Sequence, residues 1–278
     1  MFESPGRIAF SIGSFEIMWY GIMVALGIMM GFLVILYRAP KYHGISSDRT
    51  FNLVIFVLIA ALVGTRAYYV FFEWEFYSAH PEEILNFRAG GLAIHGGIIF
   101  GCLMLALLAR IYKESFFNIV DVFMIAVALG QAIGRWGNFF NSEAHGTPTD
   151  LPWAVYVDGV PVHPTFLYES IWCFILFFIL WRVDNKRIFA GQTFFLYCIL
   201  YSIERFFVEG LRTDSLMVDI GGSEFKQAQV LSICVIICAS ILYVVFYKMQ
   251  KKRGPFVIEM KSLENEETEE EKNESTTL

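Results

Sequence analysis

Arg135, Asn138, Asn141 and Glu143 follow one another within nine residues, in a chain that is otherwise mostly apolar. Tyr201, Arg205, Glu209 and Arg212 recur at spacings of four, four and three, which places them on one stripe of a helix. His95 stands in Gly90-Gly91-Leu92-Ala93-Ile94-His95-Gly96-Gly97, while Tyr20, Arg66, His163, Tyr168 and Glu169 complete the polar set. Polar groups near lipid are costly, so each needs a reason. Two arginines suit a phosphate, because a planar guanidinium can hold its oxygens bidentately. Carboxylates such as Glu143 and Glu209 would hold the arginines in place and limit uncompensated positive charge. A neutral histidine accepts a proton near pH 7, which matters most when the nucleophile is a thiol or a hydroxyl. The sequence contains no HExxH, no paired His or Cys ligands and no acidic cluster, so neither a metal nor a cofactor is expected. These residues point to metal-independent chemistry on a phospholipid head group. They do not identify the reaction.

Each residue also has a structural reading. Tyr20, after Trp19, suits an interfacial anchor, Arg205 and Glu209 a pair closing a helix end, and His95 an interfacial histidine. The glycines at 97 and 101, and at 130 and 134, fit close helix packing. Asp121 complements a helix N-terminus. Two arginines, two glutamates and a histidine at one membrane face are harder to explain in that way.

The elements that must position them are membrane helices. The 278 residues are 56% hydrophobic and only 17% charged, with a mean hydropathy of +0.54; soluble domains carry nearer a quarter of charged residues. A bilayer core needs about 20 apolar residues per helix. Seven stretches meet that need, near 15–37, 50–72, 92–112, 117–134, 166–183, 190–208 and 227–247. The fourth, with Asp121, Gln131 and several glycines, is the weakest. The expected fold is therefore an all-α integral membrane protein of seven transmembrane helices. Lys and Arg cluster at 38–49, 110–113, 182–187 and 248–253, whereas the second loop holds Glu73, Glu75, Glu82, Glu83 and only Arg88. The excess of positive charge on one side puts the N-terminus outside and the C-terminus in the cytoplasm. The chemistry-bearing residues then all fall at the outer ends of their helices.

Net charge adds little. From Glu259 onward there are eight Glu and two Lys, which account for the whole net charge of -6. Residues 1–258 are expected to form the membrane catalytic domain and residues 259–278 a disordered acidic cytoplasmic tail. Nothing suggests nucleic-acid binding. No removable signal peptide is expected, since a basic leader with a small-residue cleavage site is missing. The cysteines at 102, 173, 198, 234 and 238 lie in apolar runs without a CxxC spacing and read as packing residues.

The segment Gly134-Arg135-Trp136-Gly137-Asn138-Phe139-Phe140-Asn141-Ser142-Glu143-Ala144-His145-Gly146 resembles the signature of the prolipoprotein diacylglyceryl transferase family, roughly G-R-x-G-N-F-x-N-x-E-x-x-G. The resemblance covers most of residues 1–250. It takes in Trp19-Tyr20-Gly21, Gly64-Thr65-Arg66, His95-Gly96-Gly97, His163-Pro164, Leu167-Tyr168-Glu169 and the stripe from Tyr201 to Arg212. It implies transfer of the diacylglyceryl group of phosphatidylglycerol onto the lipobox cysteine of a prolipoprotein, with release of glycerol phosphate. The site would face the outer side of a bacterial cell membrane. The resemblance further implies that His95 is the base or thiol-orienting group, and that Tyr20, Asn138 and Gly146 are site residues. Arg135 and Arg205 would bind the phosphate, with Glu143 and Glu209 in support.

The chain departs from the family in two places. Ala228 replaces a glycine before Gln229, which puts close packing there in doubt, and Phe166 replaces a glutamine found in some members, so no polar contact is carried over from that position. A polytopic lipid or solute transporter is the alternative function. Transporters usually hold their polar residues at the midplane and carry internal repeats, and neither is seen here. An intramembrane serine protease is weaker still, because no G-x-S-x-G elbow occurs.

Overall fold

The computed structural model describes residues 2–87 and 90–254. Arg88 and the acidic tail at 259–278 lie outside the described residues. The elements run β1 (Phe2–Glu3), β2 (Ile8–Ile12), β3 (Phe15–Met18), α1 (Trp19–His43), α2 (Ser47–Phe72) and α3 (Trp74–Ala79), followed by a 3-10 turn at Pro81–Glu83. Then come α4 (Ile94–Tyr112), α5 (Phe116–Asn141), β4 (Val155–Val157), β5 (Val160–Val162), α6 (Thr165–Asp184), α7 (Gln192–Leu211), β6 (Met217–Ile220), β7 (Ser223–Lys226) and α8 (Gln227–Arg253).

Six of these helices, α1, α2, α4, α5, α6 and α8, are long and apolar enough to cross a membrane. The chain is a multi-pass, mostly helical membrane protein. The sixth expected stretch, 190–208, does form a helix, α7, but Glu204, Arg205 and Glu209 lie within its length and keep it from that set. The sequence pattern had ranked α5 weakest. In the structure α5 is instead the most buried of the six, because its small and polar residues face protein rather than lipid.

The described chain divides into two compact units, 2–34 with 121–254 and 35–120, and the boundaries fall within α1 and α5. In the first unit α6 packs on α7 and α7 on α8. Gly130 meets Gly27 so closely that a Cβ on Gly27 would lie 2.9 Å from the Gly130 carbonyl oxygen, whereas Gly134 has open space around it. Half of the expected small-residue seam on α5 is therefore a packing contact. In the second unit α2 packs along α4. His43 and Asn118 also meet there, with the Asn118 amide donating to the His43 carbonyl at 2.8 Å.

Asp121 serves a helix other than its own. Its carboxylate accepts from the backbone N–H groups of Gly191 (2.8 Å) and Phe194 (2.9 Å), at the N-terminus of α7, and Arg187 stands 3.5 Å away. At the far end of α7, Lys226 donates to the carbonyls of Glu209 (2.7 Å) and Arg212 (2.9 Å). The helix is held at both termini by groups from elsewhere in the chain, which satisfies orphan backbone groups that its own sequence leaves open.

The strands are short connections. β1 pairs in parallel with β4, β4 and β5 form a hairpin, and β2–β3 and β6–β7 are two further hairpins. Of the five cysteines only Cys173 is buried, while Cys102, Cys234 and Cys238 face outward from their helices. Packing inside the protein therefore explains one cysteine fully, not all five.

Candidate active site

Helix α6 begins after Pro164, and its fifth residue is Glu169, with a side chain only 2% exposed. Arg135, near the end of α5, places Nε in an ion pair with Glu169 Oε2 and donates from Nη2 to the Tyr201 hydroxyl at 3.2 Å. Arg205 on α7 donates from Nη1 to Glu169 Oε1 at 3.2 Å, and its Nη2 lies 2.5 Å from Glu209 Oε2. Arg212 approaches the same Glu169 oxygen at 3.9 Å and is clamped bidentately by Asp214, at 2.9 and 2.7 Å. The hydrogen bonds from Arg212 hold the Asp214 carboxyl below the usual carboxylate range. Three helices thus bring three arginines onto one carboxylate.

The burial is asymmetric. Arg135 and Arg205 keep 21% and 22% of their side chains exposed, while Glu169 and Glu209 are sealed at 2% and 3%. Arg135 Nη1 and Arg205 Nε make no hydrogen bond among the described residues. The cage hides its carboxylates and leaves guanidinium donors to spare, an arrangement suited to a tetrahedral oxyanion. Glu204 is buried close to it, and neither of its carboxylate oxygens has a hydrogen-bond partner among the described residues.

The signature segment continues from the cage. Asn138 and Asn141 both donate to Glu143 Oε1, at 2.9 and 3.3 Å. The carboxylate expected to brace an arginine therefore braces two asparagines, because the chain leaves the helix at Ser142 with φ 53° and carries Glu143 back over the last turn of α5. Glu143 is exposed, in contrast to Glu169. Tyr20 lays its ring on Gly137, where a Cβ would come within 2.7 Å of Tyr20 Cδ2. Gly146 is buried at a three-way junction. Its N–H donates to the His163 carbonyl at 2.9 Å, it bridges to Arg212, and a Cβ there would meet His163 Cβ at 2.7 Å. This glycine sets the path by which Arg212 returns from α7. Phe166 packs between Phe139 and Trp136, with ring centroids at 4.9 and 5.5 Å, so the departure from a polar residue there is absorbed by aromatic packing.

A scan against family models matches residues 7–246 to prolipoprotein diacylglyceryl transferase. The chain belongs to this family. A phosphatidylglycerol–prolipoprotein diacylglyceryl transferase from Finegoldia magna is 49% identical over 243 residues, covering 87% of this chain and 96% of the relative. The protein of the same name from Clostridioides difficile is 45% identical, with 88% and 97% covered, and that from Clostridium novyi 42%, with 85% and 94%. As a member of the family the chain is a transferase.

His95 belongs to the second unit, as the second residue of α4, exposed and with its ring 6.1 Å from that of Tyr68. Sequence reasoning gave Arg135, Arg205 and Glu209 roles in the site, and placed Glu169 and Tyr201 in the polar set without a role. A signal for Glu169 was present, namely a lone acid one turn into an apolar helix, after His163-Pro164. Among the described residues no cluster of His, Cys, Asp and Glu is arranged to hold a metal ion.

Proposed function

We propose that the chain transfers the diacylglyceryl group of phosphatidylglycerol to the lipobox cysteine of prolipoproteins, at the outer face of a bacterial cell membrane. The observation that carries the reading is the Glu169 cage. Its carboxylates are buried, its guanidinium edges are exposed, and it stands in a chain of this family. In the reaction the thiol sulfur forms a bond to the terminal glyceryl carbon of the diacylglyceryl group. The bond from that carbon to the phosphate ester oxygen breaks, and the electron pair leaves with glycerol phosphate. The thiol proton passes to His95. A free thiol has a pKa near 8.5, so a base or a positive field must favour the thiolate at neutral pH. Arg135 and Arg205 stabilise the negative charge that grows on the leaving phosphate, without need of a metal. Asn138, Glu143, Gly146 and Tyr20 shape the same head-group site, and Glu209 holds Arg205.

In this reading α7 is a seventh span. Its 20 residues extend about 30 Å, enough to cross the hydrocarbon core. Its Arg205 is met by Glu169 of α6 and by its own Glu209, and the positive loops keep the N-terminus outside and the C-terminus in the cytoplasm.

The test combines purified full-length protein, phosphatidylglycerol and a lipobox peptide, read by mass spectrometry. The expected product is a peptide heavier by one diacylglyceryl group in thioether linkage, with one glycerol phosphate released per adduct. Lipid or solute flux across vesicles without any adduct would overturn the reading in favour of a transporter.

A further inference from the structure

Arg66 lies near the end of α2, 4% exposed, in the unit that holds His95. It makes no ion pair with a carboxylate among the described residues. Instead Nε donates to the carbonyl of Ile84 at 2.9 Å, Nη2 to that of Glu83 at 2.6 Å, and Nη1 to those of Gly90 and Gly91 at 2.7 and 3.0 Å. The guanidinium carbon stands 5.1 Å from the centre of the Tyr77 ring and 5.9 Å from that of Phe87. Four of its five N–H groups are committed to backbone, so unlike Arg135 and Arg205 it has little left to offer a phosphate. Its task is to gather two separate stretches of loop onto one helix.

The stretch it gathers leads directly into His95. Gly91 has φ +69°, and a Cβ there would lie 2.5 Å from Arg66 Nη1. Two residues on, Ala93 donates its N–H to the Thr65 carbonyl at 3.0 Å. Gly96 then meets Gly64 so closely that a Cβ would come within 2.1 Å of the Gly64 carbonyl oxygen. Gly64, Thr65 and Arg66 therefore each hold one point of the backbone between Gly91 and Gly96, and His95 sits inside the held segment.

We propose that Arg66 is a positioning residue for His95, fixing the course of residues 90–96 and with it the place from which the imidazole acts. The proposal rests on the reading that His95 takes the thiol proton. A planar guanidinium reaches carbonyls on two sides at once, whereas an ammonium is a compact point charge without that fork. A shift of about 1 Å in a reacting group is enough to cost about 10²-fold in rate.

The experiment is a double-mutant cycle of Arg66→Lys and His95→Gln in the full-length protein, with kcat and KM for phosphatidylglycerol measured separately, and amide hydrogen exchange followed across 90–97. Arg66→Lys is expected to lower kcat about 10–100-fold and to leave KM within about threefold. It should add little further loss in the His95→Gln background and should speed exchange at 90–97. Losses that multiply in the double variant would overturn the proposal, since Arg66 would then act independently of His95. A raised KM with kcat intact would also overturn it, by making Arg66 a substrate contact. A fully active His95→Gln enzyme identifies the base reading as the failure and removes the proposal with it. If Arg66→Lys does not accumulate, Gly91→Ala presses on the same guanidinium, and its cycle with His95→Gln is judged by the same outcomes.

Discussion

The cage around Glu169 and the web around Arg66 use the same side chain with opposite partners. In the first, carboxylates neutralise the arginines but occupy only some of their donors, and a fifth of each of Arg135 and Arg205 stays exposed. In the second, neutral carbonyls absorb nearly every donor, and the side chain is buried. Partner type thus separates an arginine kept ready for an anion from one that holds backbone in place. The two cannot be told apart by residue identity, by helix position or by the family motif, because all three arginines sit in matching segments.

Six variants break or sharpen that contrast. The largest effect belongs to His95→Gln, which keeps hydrogen bonding but cannot carry the proton. Its rate should fall about 10²–10⁴-fold and recover in part as pH is raised and thiolate forms unaided. Substantial neutral-pH turnover with an unchanged pH profile would reduce His95 to a positioning role. Arg135→Lys or Arg205→Lys retains charge and loses the fork, so kcat/KM should drop about 10–100-fold while the protein still accumulates in the membrane. Near-normal turnover in both would remove the phosphate assignment. The acids of the cage should divide more mildly. Glu169→Gln releases the arginines and should cost about tenfold, whereas Glu204→Gln, which breaks no ion pair, should stay within about threefold. Equal losses would show that Glu204 belongs to the cage.

The smallest effect is on stability. Asp214 has its folded-state carboxyl below the ordinary value, so its pairing with Arg212 stabilises the protein above about pH 4. That contribution is lost as pH falls through the folded value. Asp214→Asn should lower Tm at pH 7 by about 1–2 °C, since the Asp214 side chain is half exposed, and the two melting curves should merge in acid. A gap that persists at pH 2 would mean packing, not charge, is lost.

The long helices were legible because lipid imposes a length and a composition on them. The expected 50–72, 92–112 and 166–183 became Ser47–Phe72, Ile94–Tyr112 and Thr165–Asp184. The first expected span began too early, at 15, because Phe15, Ile17 and Met18 are apolar and extend the helix signal despite Glu16, whereas the structure pairs Phe15–Met18 with Ile8–Ile12 as a hairpin. That Glu169, one of the polar set, is the hub of the site was not legible. Glu169 is 34 residues from Arg135 and 36 from Arg205, and only tertiary packing, such as that of α6 against α7, decides which carboxylate the arginines meet. Asp121 does complement a helix N-terminus, but which helix was hidden for the same reason, since the N–H groups it satisfies lie 70 and 73 residues away.

The charges shared between α6 and α7 bear on how the chain is made. In the seven-span reading proposed above, a lone α7 would carry Glu204, Arg205 and Glu209 toward hydrocarbon, an arrangement that a translocon resists. Glu169 has emerged from the ribosome thirty-six residues before Arg205, and only a short connection, residues 185–191, separates the two helices. In that reading the pair would leave the channel as one hairpin with Glu169 already against Arg205, and the insertion of α6 and α7 would be cooperative rather than helix by helix. In a glycosylation-mapping insertion assay, α7 alone should insert poorly, α6 with α7 well, and α6 with α7 bearing Glu169→Ala poorly again. Efficient insertion of α7 alone would make the pairing a matter of the finished enzyme only.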